Sequence, residues 1–392
     1  MLDPGSLQRM RSSVCAHKQA NFLQSLITFA AFLLTLSIVV CFHEFGHFLA
    51  ARLCGVKVLR FSLGFGKPIF TFKSKHSSTE WALGPIPLGG YVKLLDGRDP
   101  QQTITASEQT QAFDTKPLWK RSLIVFAGPL ANFVLAIGLL TIIYISGVIQ
   151  LPARLQTPPP GSVAASLGIV QGDRVLAWRL QADKEFAPVI SWNALRWNLM
   201  DAITAQEGFA LKMQDPSGRQ FTSDFLASQL PAMSSSGDPF TPLGILPAIP
   251  PASEYFTLKL DPLNGLIYAS KRVWLISKVS LRLMGGLLTG ESSLKQLGGP
   301  LSIANMAGKT AQVGWQAYCA FLAILSISIG LLNLVPLPML DGGQLLYDAW
   351  ELVSGKRISI SLQEQFQKVG FILLISISLL ALFNDLQRYF SP

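Results

Sequence analysis

Charge is what this chain has least of. Charged residues make up 14% of its 392 residues, against about a quarter in an average soluble domain. With 49% hydrophobic residues beside it, that scarcity argues against an ordinary soluble enzyme. Cysteine is sparse too. Cys15, Cys41, Cys54 and Cys319 show no paired C-x-x-C spacing, and none falls between residues 151 and 261. Both a disulfide framework and a thiolate zinc site are therefore disfavoured. Only four histidines occur, yet two of them, His43 and His47, stand four positions apart.

The chain is rich in long uncharged runs. Residues 19–42, 122–153 and 310–340 contain no Asp, Glu, Lys or Arg, and each exceeds the ~20 residues needed to cross the hydrocarbon of a bilayer. A shorter run, 369–384, is extended by Phe366 and Leu386. The expected fold is an α-helical polytopic membrane protein with four transmembrane helices, at about 21–55, 119–150, 310–343 and 366–388. Residues 1–20 read as a polar tail. Arg9, Arg11 and Lys18 before an apolar core resemble a signal peptide, but the run is long and no small-residue cleavage site follows. A retained helix is the better expectation.

The formal net charge of +9 is unevenly spread. Residues 52–121 hold eleven Lys/Arg against five Asp/Glu, whereas 151–261 hold eight against ten. The positive-inside rule then places 52–121 in the cytoplasm and 151–261 on the outer side. Arg9, Arg11 and Lys18 point weakly the other way. Membrane orientation accounts for the basic excess better than nucleic acid does, so the expected surroundings are a lipid bilayer and no nucleic-acid partner.

Between the first two spans (56–118) the text turns to strand-like pieces broken by glycine and proline: Val58–Phe61, Ile69–Phe72, Trp81–Leu83 and Tyr91–Leu94. A soluble hairpin is one reading. The turns Gly64-Phe65-Gly66 and Gly84 through Gly90 are apolar, however, and irregular backbone enters a membrane only where protein or water covers it. A re-entrant β-element beside an active site is the other. In the second span, Ala127-Gly128-Pro129-Leu130-Ala131-Asn132 offers small residues for close packing and an amide, either a packing seam or a catalytic contribution.

The extracytoplasmic segment, 151–255, contains Pro160-Gly161-Ser162-Val163-Ala164-Ala165 followed by Gly172-Asp173-Arg174-Val175-Leu176. This resembles the signature of PDZ domains in membrane and periplasmic proteases, and an inserted PDZ-like α+β domain is expected there. Residues 262–290 read as an amphipathic interfacial helix, because Lys271, Lys278 and Arg282 share a face at helical spacing.

The chemistry concentrates in His43-Glu44-Phe45-Gly46-His47. On a helix, positions i and i+4 share a face, so two imidazoles can hold one metal while the glutamate addresses its water. Ionisable groups at the end of an apolar run are costly and usually functional. A catalytic zinc needs a third ligand. Asp341 ends the run 310–340 within Asn333-Leu334-Val335-Pro336-Leu337-Pro338-Met339-Leu340-Asp341-Gly342-Gly343. Taken alone, Asp341 could equally be a helix-end residue at the headgroup level. But the first and third spans both run outside to inside, which brings His43, His47 and Asp341 to one membrane depth.

These stretches, with Arg60 through Gly66 and Pro85 through Lys93, resemble the site-2 protease family, in its bacterial regulator-of-sigma-E branch, and the resemblance runs from Phe42 to Asp385. It implies an intramembrane zinc metalloendopeptidase with ligands His43, His47 and Asp341 and a catalytic Glu44. It implies substrate handling by Asn333, with Gly64, Gly66, Pro336 and Pro338 in the substrate-binding stretches, and a re-entrant β-hairpin between about Val56 and Leu95. The implied substrates are single-span membrane proteins, such as anti-sigma factors or signal-peptide remnants, in the bacterial inner membrane. Relatives often carry two tandem PDZ domains, and this chain has room for one. The rival is a zinc-binding membrane chaperone or transporter without hydrolysis, which would have no use for Glu44 beside the metal.

Overall fold

A computed structural model of the chain describes residues 4–73, 79–99, 102, 104–232, 238–249, 251–291 and 298–390. Residues 1–3 of the expected tail, and parts of the expected 56–118 and 151–255 segments, lie outside these. The chain divides into two compact units, residues 1–139 with 298–392, and residues 140–297. Among the described residues, four helices are long and apolar enough to cross a membrane: Leu23–Leu53, Leu118–Ser146, Trp315–Leu334 and Ile360–Arg388. Each falls within or overlaps one of the four expected spans.

The first unit opens with α1, Pro4–Leu53. The segment expected as a polar tail is thus continuous with the first span. The physical reason is plain in the sequence: no glycine or proline interrupts residues 6–45, and nothing there terminates a helix once begun. Four strands follow, β1 (Val58–Phe65), β2 (Phe70–Lys73), β3 (Glu80–Leu83) and β4 (Ile86–Leu94). All four strand-like pieces form strands, but they build a sheet of order β2-β3-β1-β4 rather than one hairpin. β1 runs parallel to β3 and antiparallel to β4, so β4 is an edge. At the opposite edge Ile69, Phe70 and Phe72 are 73%, 63% and 57% exposed, an apolar rim that a water-bathed sheet would not be expected to present.

α2 (Leu118–Ser146) leads into the second unit. There β5 (Val148–Gln150) precedes α3 (Val163–Ser166), β6 (Arg174–Leu180), β7 (Ala187–Pro188), α4 (Trp192–Ala205), β8 (Phe209–Gln214), β9 (Gln220–Phe225) and α5 (Phe240–Leu243). The expected sequence of short helix, Gly172-Asp173 turn and strand is present. The antiparallel sheet β7-β6-β8-β9 closes over α4 around Leu195, Leu199, Leu211 and Met213, all fully buried. β10 (Phe256–Leu258) pairs antiparallel with β5, and α6 (Pro262–Thr289) follows, capped by Asp261 and ended by Gly290 at φ 81°. The basic face of α6 does not all look outward. Lys278 and Arg282 both grip the buried Asp201 of α4, the latter at 2.6 Å, and Arg272 donates to Asn193. Three of its cations are therefore committed to α4, and Lys271 remains exposed.

The first unit resumes with α7 (Pro300–Val313), α8 (Trp315–Leu334), α9 (Asp341–Ser354) and α10 (Ile360–Phe390). The third span, expected over 310–343 with its helix broken at the prolines, is also split near its start. Gly314, at φ 137°, separates α7 from α8 in a conformation that glycine alone adopts at little cost. A charge-free run conceals such a break. At the other end Pro336 and Pro338 hold Val335–Leu340 out of helix, with Val335 extended at φ −62°, ψ 136° as the residue before a proline must be. Asp341 is consequently the first residue of a new helix rather than the last of the span.

Candidate metal centre

α1 is helical through 43–47, so His43 and His47 project from one face, their rings 4.8 Å apart and nearly perpendicular. The loop Val335–Leu340 turns the chain so that the first residue of α9 meets them. His43 Nε2 lies 3.1 Å and His47 Nε2 3.3 Å from Asp341 Oδ2, and the two Nε2 atoms are 3.2 Å apart. Beyond these imidazoles Asp341 Oδ2, though buried, has no polar partner among the described residues.

These separations test whether a zinc ion fits. Bonds of about 2.0–2.1 Å in a tetrahedron place neighbouring donor atoms roughly 3.3–3.4 Å apart. The three observed edges of 3.1, 3.2 and 3.3 Å match that figure to about 0.2 Å. Two imidazoles and a carboxylate are moreover a donor set that zinc takes at catalytic sites. His43, His47 and Asp341 therefore could hold a metal ion together.

α2 supports both rings from behind. His47 Nδ1 donates to the Ile124 carbonyl at 2.8 Å, which leaves Nε2 as the lone-pair nitrogen. Asn132, fully buried, approaches His43 Nδ1 at 3.2 Å through its side-chain amide. Close approach of the two helices depends on glycine twice. A Cβ on Gly46 would lie 2.2 Å from the Ala127 carbonyl oxygen, and one on Gly128 would lie 2.3 Å from His47 Nε2.

The donors open onto a cavity of about 370 Å³ whose walls include Glu44, Tyr91, Val92, Phe113 and Asn333. Glu44 follows His43 on α1 and lines the cavity with Val92 of the edge strand β4. The structure thus brings His43, Glu44, His47, Asn333 and Asp341 to one cavity. The other four residues named from sequence stand apart from it. Gly64 and Gly66 hold φ of 85° and 96° at the end of β1, packed on Gly84 and Pro85. Pro336 and Pro338 shape the loop, and it is Met339 and Leu340 that reach the cavity wall.

A second cluster fixes α9. Arg121 of α2, 2% exposed, donates to Glu351 at 2.7 Å and lies 3.9 Å from Asp348, which also accepts Ser122 Oγ at 2.8 Å. Burial pushes the Asp348 carboxyl above its usual range despite Ser122 and Arg121. Burial acts the same way on Glu351, but the guanidiniums of Arg121 and Arg357 win and hold it below. The available signal was the spacing of Asp341, Asp348 and Glu351, seven and three apart on one helical face, once a helix is drawn there. Asn132 carried a weaker signal, an amide inside a span being costly enough to mark.

A family model described as Peptidase family M50 matches residues 31–377. The chain is 33% identical to a protein of Haemophilus influenzae named regulator of sigma E protease, covering 94% of this chain and 100% of that one. It is 30% identical to protease RseP of Yersinia pestis, over 92% and 98% of the two. It is 32% identical to a Ralstonia nicotianae protein whose name places it with the zinc metalloproteases, over 93% and 99%. That last alignment runs over 462 positions although this chain has 392 residues, so at least 70 positions face gaps here.

Proposed function

The chain belongs to peptidase family M50, and on that premise we propose that it cleaves the membrane-spanning segments of other proteins with zinc held by His43, His47 and Asp341. The observation that carries this reading is the triangle of donor atoms with 3.1–3.3 Å edges beside Glu44. When bound, zinc supplies Lewis acidity toward a water and a scissile carbonyl. Glu44 takes the proton of that water and delivers it to the leaving amine. Asn333, in the same cavity wall, holds the substrate main chain or its developing oxyanion.

A transmembrane helix hides its carbonyls in internal hydrogen bonds, so a substrate must unwind before it can be cut. The edge strand β4, whose Tyr91 and Val92 line the cavity, is suited to accept an extended segment as an added strand. The exposed rim of Ile69, Phe70 and Phe72 supports a sheet that dips into the bilayer as a re-entrant element. Relatives named regulators of sigma E protease suggest single-span, anti-sigma-factor-like substrates in a bacterial inner membrane, with the metal toward the cytoplasm. The sheet and helices of residues 151–255 serve as a single extracytoplasmic PDZ-like domain that admits or excludes substrates. The gapped positions, at least 70 in all, together equal much of the length of a second such domain.

The test pairs two variants of the purified full chain, assayed on single-span peptides with and without chelator. Glu44→Gln should retain one zinc per chain and lose hydrolysis. Asp341→Ala should lose zinc itself. Full cleavage by Glu44→Gln would overturn the mechanism, and unchanged zinc content in Asp341→Ala would remove Asp341 from the ligand set.

A further inference from the structure

Asn132 is a polar side chain inside an apolar span, 0% exposed, and the chemistry above does not use it. Its backbone carbonyl accepts Ser326 Oγ of α8 at 2.8 Å, which fixes the residue between helices. Its side-chain amide sits 3.2 Å from His43 Nδ1 through the nitrogen, while Oδ1, also buried, has no hydrogen-bond partner among the described residues. The two ends of an asparagine amide have the same shape, and their assignment follows from the hydrogen bonds they must make.

His43 decides which end belongs there. To bind a metal through Nε2, the nitrogen facing His47 and Asp341, the ring must carry its proton on Nδ1. With the amide nitrogen against Nδ1, the proton would sit on Nε2 and no lone pair would face the metal. Turned by half a revolution, the amide presents Oδ1 to Nδ1–H at the same separation. His47 already follows this rule, because the Ile124 carbonyl can only accept. Two acceptors on α2, eight residues apart, would then orient two imidazoles four residues apart on α1.

We propose that Asn132 is a positioning residue of the metal centre, its Oδ1 accepting the His43 Nδ1 proton and fixing the tautomer and ring plane from which Nε2 binds zinc. This rests on the metalloprotease reading above. It is a role that a packing asparagine would not have. Groups that hold a ligating histidine in this way are typically worth 10–100-fold in metal affinity.

The experiment is competitive zinc titration of the full-length protein in detergent, using a chromophoric chelator, on wild type, Asn132→Asp, Asn132→Leu and His43→Ala. Asp keeps an acceptor of the same size and can serve Nδ1–H. Leu keeps the volume and removes the hydrogen bond. The expected result is wild-type affinity within a few-fold for Asn132→Asp and about a 10–100-fold loss for Asn132→Leu. A packing role predicts the reverse order, since a buried carboxylate disrupts a seam that leucine fills. That order, or equal affinity in all three, overturns the proposal. If Asn132→Leu does not fold, Asn132→Ala takes its place: zinc affinity within a few-fold of wild type overturns the proposal, and a loss of about 10–100-fold beside an unimpaired Asn132→Asp upholds it. Undiminished zinc binding by His43→Ala would instead strike the metalloprotease reading itself, so the two failures are distinguishable.

Discussion

Gly128→Ala should empty the metal centre without touching a ligand. A Cβ built there lies 2.3 Å from His47 Nε2, 2.5 Å from His47 Cε1 and 2.9 Å from His43 Cε1. Comfortable contact between such atoms begins at about 3.5 Å, so the imidazoles must retreat by roughly 1 Å. Metal sites tolerate deviations of about 0.2 Å in ligand distance. The required retreat is several times larger, and the loss of zinc affinity should exceed the ~10–100-fold typical of residues that only orient a ligand. Overpacking of this kind costs about 1–3 kcal/mol, which leaves a folded protein to measure. Gly138, on the same helix, provides the control, because nothing lies within 4 Å of a Cβ added there. Gly138→Ala should keep full zinc affinity and gain up to about 1 kcal/mol from helix propensity. The assay is zinc per chain by elemental analysis, together with competition against a chelator, on both variants. Gly128→Ala that binds zinc like wild type would refute the reasoning, since the packing of His47 Nε2 against α2 would then be wrong.

Two further outcomes are expected. Arg121→Met strands the Asp348 carboxylate and weakens the docking of α9, and breaking one side of a buried pair costs about 3–5 kcal/mol. Chemical denaturation in detergent should register that loss, zinc affinity should fall with it, and Arg121→Met combined with Asp348→Asn should recover part of both; an unaltered denaturation midpoint would show that the cluster does not hold α9. For topology, single cysteines at Ser107 and Ala182 should label only from the cytoplasmic and only from the outer side respectively. Labelling of both from one side would undo the orientation drawn from the Lys/Arg distribution.

Much of this centre was legible because its signals are local or global, with little in between. The His43–His47 spacing needs only a helix, and Asp341 stands out because a carboxylate closes a long uncharged run. The four strands of the first unit announced themselves through glycine, proline and β-branched or aromatic residues. Illegible were the features set by partners. The docking of α9 stays hidden until Arg121 is seen beneath it, since its charges look like solvent-facing ones. The break at Gly314 is silent because hydropathy counts residues and not dihedrals. The basic face of α6 suggested lipid headgroups, and only the fold reveals Asp201 as the counter-ion of Lys278 and Arg282. Asn132 was noticed as either a seam or a catalytic residue, but its bearing on His43 required the distance.

The donor triangle also sets an order of events during biosynthesis. His43 and His47 leave the ribosome early, and Asp341 follows 294 residues after His47. At roughly 5–20 residues per second, that interval lasts about 15–60 s. Throughout it the nascent chain has two imidazoles and a glutamate beside newly inserted helices, its own among them, and lacks the third ligand. With the ligand set proposed above, hydrolytic competence arrives only once α9 has been made and has docked on α2. A chain truncated before Asp341 would therefore be an inert membrane protein rather than an uncontrolled protease.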